Sequence, residues 1–248
     1  MAGLLEREIS AEKEPLDLRE SIYKKIKQSI LDGDIMHGSW LQEDQVCKML
    51  AVSRTPVREA FNRLSGEGLL EIFPRKGARI IDMSGTQVDA LYEARALVEL
   101  AYFEKSATVF TLKDYEQFLN ELRNFEEKIL NTPEHSEKWE EFRKDFSHWD
   151  RFFHDKLLMA CGNEYWIKAY FQIRDLIIIS SNVRSFAKES INSAMQEHHQ
   201  ILDALCDRRY AEARKLLAEH ILNTRRYDDM HLRRQRIKLM FSVADDSL

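Results

Sequence analysis

Turn-forming residues are scarce in this chain, with eight glycines and four prolines punctuating 248 residues. That is too few for the frequent reversals of an all-β protein, and it favours long helices. The fold class expected is therefore mainly α. A hydrophobic share of 44% beside 32% charged residues excludes collagen-like, low-complexity and wholly disordered chains. The length exceeds the usual single-domain size, so two domains are expected. Cys47, Cys161 and Cys206 lie far apart and form no CxxC, which removes a disulfide framework and a thiolate zinc site and fits a reducing cytoplasm. Acids and Arg7 interrupt the N-terminal MAGLLEREIS, and apolar runs elsewhere are as short as Leu176 to Ile179 or the five residues from Leu157 to Cys161. Neither a signal peptide nor a membrane span is expected, and the expected location is cytoplasmic.

The formal net charge of −5 describes only an average. Residues 84–206 hold 14 basic and 21 acidic side chains, whereas residues 1–83 hold 13 and 14. Two short stretches are locally basic. Residues 48–63 carry Lys48, Arg54, Arg58 and Arg63 against Glu59, and residues 72–81 carry Arg75, Lys76 and Arg79 against no acid. Screening over about 8 Å makes such local charge decide contacts.

Residues 1–16 lack periodicity and read as a tail. Leu18, Ile22, Ile26 and Ile30 then recur every four residues until Gly33, one face of an amphipathic helix. A short helix is expected over Glu43 to Leu50, burying Val46, Met49 and Leu50, followed by a turn at Ala51 and Val52. Ser53 is a suitable N-cap and Pro56 suits a first turn, so a third helix is expected from Arg54 to Ser65, with Val57, Ala60, Phe61 and Leu64 inward. This order is a helix-turn-helix. Arg54, Thr55 and Arg58 fall on the exposed first turn of its third helix, the end that enters a major groove. Leu69 to Phe73 and Ala78 to Asp82 read as two strands around Pro74-Arg75-Lys76-Gly77, a basic wing suited to DNA backbone or minor groove.

The run VSRTPVREAFNRL at 52–64 with GLLEIFPRKGARI at 68–80 closely resembles the winged helix-turn-helix of GntR-family transcription regulators. The resemblance implies that Arg54, Thr55 and Arg58 contact double-stranded operator DNA and that the wing around Arg75, Lys76 and Gly77 reaches the adjacent groove. The chain departs from the family at Asp44, where a basic residue is common at the start of the second helix. One backbone contact of the family pattern is therefore not expected to carry over, and a shifted operator preference is expected.

From Ser84 onward only amphipathic helical stretches follow, approximately 84–108, 111–131, 136–160, 163–186, 188–207 and 209–236, separated by breakers such as Thr132-Pro133 and Gly162-Asn163. An all-α antiparallel bundle is expected. Asp150 and His154 lie at i,i+4 on a stripe continued by Leu157, Leu158 and Cys161. His198 shares its face with Ile201, Leu202 and Leu205, His199 sits with Asp203 toward solvent, and His220 continues Ala213, Leu216 and Leu217. With a turn near Arg208, His198 and His220 fall at about 15 and about 18 Å along antiparallel helices, so they can meet. An Asp-His-His-His set suits a divalent transition metal, Zn²⁺ first, with Ni²⁺ and Mn²⁺ also compatible. Hydrogen-bonded core histidines would give the same pattern, and on the residues alone that alternative stays open.

The runs Asp150-Arg-Phe-Phe-His154, Glu197-His198-His-Gln-Ile-Leu-Asp-Ala-Leu205 and Ala213-Arg-Lys-Leu-Leu-Ala-Glu-His220 resemble the FadR C-terminal (FCD) domain found in one branch of the same family. The resemblance implies that Asp150, His154, His198 and His220 ligate a metal and that a small organic acid binds on or beside it. Arg95 also resembles a family motif, and pairing with an effector carboxylate stands there against a structural Arg95–Glu99 pair.

The organisation expected is a tail at 1–16, a winged helix-turn-helix at 17–83, an all-α ligand, metal and dimerisation domain at 84–240, and a tail at 241–248. The function expected is a homodimeric, effector-responsive transcription regulator that is not an enzyme. One alternative is a metal-dependent bundle enzyme, although no histidine here is preceded at three residues by Glu, as di-iron bundles require. The other is a metal-stabilised dimerisation module without an effector. Cys47 is read as a buried structural thiol. The basic stretch from Arg225 to Lys238 is read as a solvated helix face.

Overall fold

The computed structural model describes residues 15–134, 136–181 and 187–225. The tail expected at 1–16 ends earlier than that, since Pro15 and Leu16 already belong to the first helix; residues 1–14, the expected C-terminal tail and the basic stretch beyond Arg225 lie outside these residues. The elements run α1 (Pro15–Leu31), β1 (Trp40–Leu41), α2 (Glu43–Leu50), α3 (Arg54–Gly66), β2 (Leu70–Phe73), β3 (Gly77–Ile80), α4 (Gly85–Ala101), α5 (Phe103–Ala107), α6 (Leu112–Leu130), α7 (Glu137–Met159), α8 (Glu164–Ser181) and α9 (Lys188–Cys206). A further helix, α10, occupies residues 210–225. The fold is mainly α, a winged helix-turn-helix and a helical bundle. No helix among the described residues is long and apolar enough to cross a membrane.

The described residues form two compact units, one within Met1–Leu91 and Gln172–Val183, the other within Tyr92–Phe171 and Arg184–Leu248. In the first unit, Ile22, Ile26 and Ile30 of α1 close on Val57, Ala60, Phe61 and Leu64 of α3 in one buried cluster. Met49, expected inward, is exposed on α2 instead, and Val46 and Leu50 fill that face with Cys47 packed beside them. The second half of α8 joins this core through Ile179, with Leu176 and Ile178 packed beside it. The expected division at 83/84 is linear, whereas the described residues 172–181 group with the winged helix, whose core covers Leu176, Ile178 and Ile179. Their polar neighbour is also satisfied there: Lys27 Nζ lies 2.7 Å from Asp175 Oδ2 and 2.8 Å from Glu67 Oε2.

The wing is a three-stranded antiparallel sheet in the order β1-β3-β2. Trp40 pairs with Arg79 and Leu41 with Ala78, while Leu70 pairs with Ile80 and Phe73 with Gly77. The two-residue β1 has no counterpart in the sequence reading. Gly77 has φ +97°, and a Cβ there would stand 2.4 Å from the Leu41 carbonyl oxygen, so only glycine closes the hairpin against β1.

In the second unit, Thr111 and Asp114 form a capping box that starts α6, and Ser136 caps α7. The single helix expected over 84–108 is instead two, broken at Tyr102. The Trp166 Nε1–H donates to the Val98 carbonyl at 2.7 Å, the oxygen that an unbroken helix offers to the Tyr102 N–H. Along α7, Trp139 stacks on Phe142, and Phe146, Trp149 and Phe153 stack in turn; Phe125 of α6 meets Phe142 and Phe146 edge-on and so bridges the two runs, and Phe118 meets Trp149 and Phe153 edge-on.

Candidate metal centre and DNA-reading face

One turn of α7 carries Asp150 and His154, and α9 and α10 deliver His198 and His220 to the same point. One donor atom from each of the four lies within 4.8 Å of every other. Asp150 Oδ1 stands 3.2 Å from His198 Nε2, 3.9 Å from His220 Nε2 and 4.0 Å from His154 Nε2. All three imidazoles are buried, while Asp150 keeps 27% of its side chain exposed and so marks the side open to solvent. Trp149 and Phe153 each hold the His198 ring edge-on at 5.1 Å, so the far wall is aromatic and dry.

The opposite nitrogens fix the rings. His154 Nδ1 lies 2.6 Å from Glu99 Oε2, His220 Nδ1 lies 2.8 Å from Glu197 Oε2, and His198 Nδ1 lies 2.8 Å from the Ala194 carbonyl oxygen. Each partner only accepts, so each Nδ1 carries a proton, and in the neutral form of the ring Nε2 presents a lone pair. The Nε2 atoms of His154 and His220 then face each other at 3.3 Å. His198 Nε2 is buried without a hydrogen-bond partner among the described residues. Three lone pairs and a carboxylate oxygen converging without a proton repel one another, and a cation at their centre removes that repulsion. The donor set therefore fits a divalent transition metal.

Electrostatics keep the set ready to donate. Burial and the neighbouring imidazoles push His198 and His220 down to about 3, so both are neutral at neutral pH. Burial alone would raise Asp150, but the three imidazoles and Arg95 outweigh it and lower its pKa. For Glu99, burial is overcome by the Arg95 guanidinium and by His154, which hold it at about 2. Arg95 donates from Nε to Glu99 Oε1 at 2.5 Å, and both side chains are buried. The structural pair weighed for Arg95 is thus present. Glu99, Asp150 and Glu197 set three carboxylates around the site against Arg95.

Glu99 and Glu197 orient histidines to which no sequence spacing links them. Glu197 precedes His198 but serves His220 on the next helix, and it also accepts from Asn223 Nδ2 at 2.8 Å. Its spacing shows nothing, because the contact crosses between helices. The remaining doublet member, His199, is partly exposed beside Asp203, 3.2 Å away.

In the first unit, Arg54, Thr55 and Arg58 stand exposed on the opening turn of α3. Ser53 takes the extended N-cap conformation without a side-chain capping bond. Both arginines are gripped by α2. Arg54 Nε and Nη2 lie 2.7 and 3.0 Å from the Asp44 carboxylate oxygens, and Arg58 Nε and Nη2 donate to the Glu43 carboxylate at 3.0 and 2.8 Å. Arg75 and Lys76 are exposed at the wing tip, and Arg75 has φ +66°. Cys47, expected buried, is only half-buried on α2, and its desolvation, then Asp44, pushes the thiol up, away from a reactive thiolate.

Residues 18–80 match the family model described as bacterial regulatory proteins, gntR family, and residues 90–223 match the FCD domain. The chain is 27% identical over 181 residues to the gluconate operon transcriptional repressor of Bacillus subtilis (strain 168), covering 71% of this chain and 70% of the relative. It is 30% identical over 186 residues to the Nta operon transcriptional regulator of Aminobacter aminovorans, covering 74% and 81%. A solved GntR transcriptional regulator from Rhodococcus sp. RHA1 superposes with a TM-score of 0.68 at 21% identity, over 86% of this chain and 97% of that one, a likeness of fold.

Proposed function

The chain belongs to the GntR family of bacterial regulatory proteins, with an FCD domain as its second module and DNA-binding transcription regulation as its function, and from this premise we propose an effector-responsive regulator. In this reading a homodimer places two α3 helices on a two-fold operator, with Arg54, Thr55 and Arg58 toward base edges and Arg75, Lys76 and Gly77 of the wing beside the backbone. Asp150, His154, His198 and His220 hold a divalent metal, Zn²⁺ first and Ni²⁺ or Mn²⁺ next. Bound there, the ion would supply Lewis acidity toward a small carboxylate.

The observation that carries this reading is the ring arrangement of the three histidines, each with Nδ1 engaged and Nε2 aimed at Asp150. Arg95 contributes the second anion-binding group. It already serves Glu99, so an effector carboxylate reaching Arg95 shares or displaces that partner and changes what Glu99 offers His154. Regulation requires that the effector bind the DNA-competent and incompetent states with different affinity. The gluconate operon named for one relative is consistent with a carboxylate effector, since gluconate is an organic acid.

Selection of duplexes from a random pool, followed by a screen of small carboxylates for release with and without a chelator, tests the proposal. A selected sequence released by one acid only in metal-loaded protein is the expected result. The same release from metal-free protein removes the metal from the mechanism, and no recovered sequence removes the operator reading.

A further inference from the structure

Two acids on the short α2 hold the two arginines that α3 presents, a pattern that stability does not explain. The Arg54 and Arg58 side chains are 67% and 64% exposed, and ion pairs this exposed contribute little to folding. What the pairs do control is the guanidinium. In both, the carboxylate engages the Nε and Nη2 atoms. Nη1 of each arginine has no partner among the described residues, so the outer edge of the fork remains for guanine O6 and N7. Each arginine is fixed by a bidentate contact and its charge is matched by a carboxylate next to it.

We propose that Glu43 and Asp44 are specificity-determining residues of the DNA-reading face, which bind the inner edges of Arg58 and Arg54, orient their outer edges for base readout and cancel their pull on phosphate. The inference rests on the proposed reading of α3 as the operator-contacting helix. Phosphate attraction is independent of sequence and scales with the positive charge a protein brings to the backbone. Carboxylates beside the reading arginines reduce that attraction on every duplex and leave hydrogen bonding to a correct base edge intact. Affinity for any DNA falls, and the ratio of operator to random DNA rises.

The test uses the full chain with a duplex selected by the wild type and a scrambled duplex of the same composition, titrated across a salt series. Asp44→Asn and Glu43→Gln are expected to raise affinity for the scrambled duplex about three- to tenfold, to steepen the salt dependence by about one ion per protomer, and to lower the ratio between duplexes. An unchanged ratio and slope in both variants overturns the inference, since a role limited to stabilising the start of α2 moves neither. Arg54→Ala and Arg58→Ala test the underlying reading separately. If both bind the selected duplex as the wild type does, α3 does not read the operator and the inference falls with that reading. If both lose it while Asp44→Asn and Glu43→Gln keep wild-type discrimination, only the role of the acids is wrong.

Discussion

Each buried imidazole of the cluster has one nitrogen committed to an acceptor, and the acceptors are of two kinds. His198 relies on a backbone carbonyl that α9 supplies in any case, but His154 and His220 rely on Glu99 and Glu197. Outer partners of this kind typically carry about 10–100-fold of metal affinity. Glu197→Gln is therefore expected to weaken Zn²⁺ binding by that order while the helix content is retained, measured by competition with a chromophoric chelator. An unchanged affinity would remove Glu197 from the centre. A pH prediction belongs to the same residues. His198 and His220 are lowered to about 3 from an ordinary 6.5, so between those values the unfolded chain binds protons that the folded chain refuses. Stability from this source is complete above about pH 6.5 and drains as the pH falls toward 3. Metal-free protein is expected to lose thermal stability through that window, with His198→Ala flattening the profile. At this scale the four converging residues were legible from i,i+4 spacing and inward faces. Glu99 and Glu197 were not, because a partner reached across helices leaves no period in the sequence.

Among the elements, the helices were legible where an apolar stripe and a breaker coincide, as at Ile22, Ile26 and Ile30 before Gly33. The failures have local causes. The Tyr102 break follows from a side chain on another helix claiming the Val98 carbonyl, and β1 is too short to carry any alternation. Two positive-φ positions give opposed predictions. Ala51 ends α2 with φ +53°, a conformation that costs an L side chain about 1–2 kcal/mol and a glycine almost nothing. Ala51→Gly is expected to be neutral or to raise the denaturation midpoint of the winged helix. Gly77→Ala meets both the unfavourable φ and the Leu41 carbonyl at 2.4 Å. Its expected cost is at least about 1–3 kcal/mol, with loss of β1–β3 pairing. Amide exchange at Leu41 and Ala78 reads this directly, and protection equal to wild type would show that the hairpin closes without glycine.

For the whole molecule, charge and burial separate two tasks that the average of −5 conceals. The exposed cations proposed for DNA belong to the first compact unit, and the four residues proposed for the metal belong to the second. Ligand that binds only the folded state stabilises by RT ln(1 + [L]/Kd), about 2.7 kcal/mol at a hundred times Kd. Saturating Zn²⁺ is thus expected to raise the melting temperature, and a chelator to reverse it. The increment should vanish in His198→Ala and His220→Ala, because each removes a donor, and should persist in Arg54→Ala and Arg58→Ala. Operator affinity should show the converse pattern in the absence of effector, falling in the arginine variants and surviving in the histidine variants. Calorimetry paired with a DNA titration on the same four proteins checks both halves. If the arginine variants lose the metal increment, or the histidine variants lose basal operator binding while still folded, the two tasks are not divided between the units as assigned.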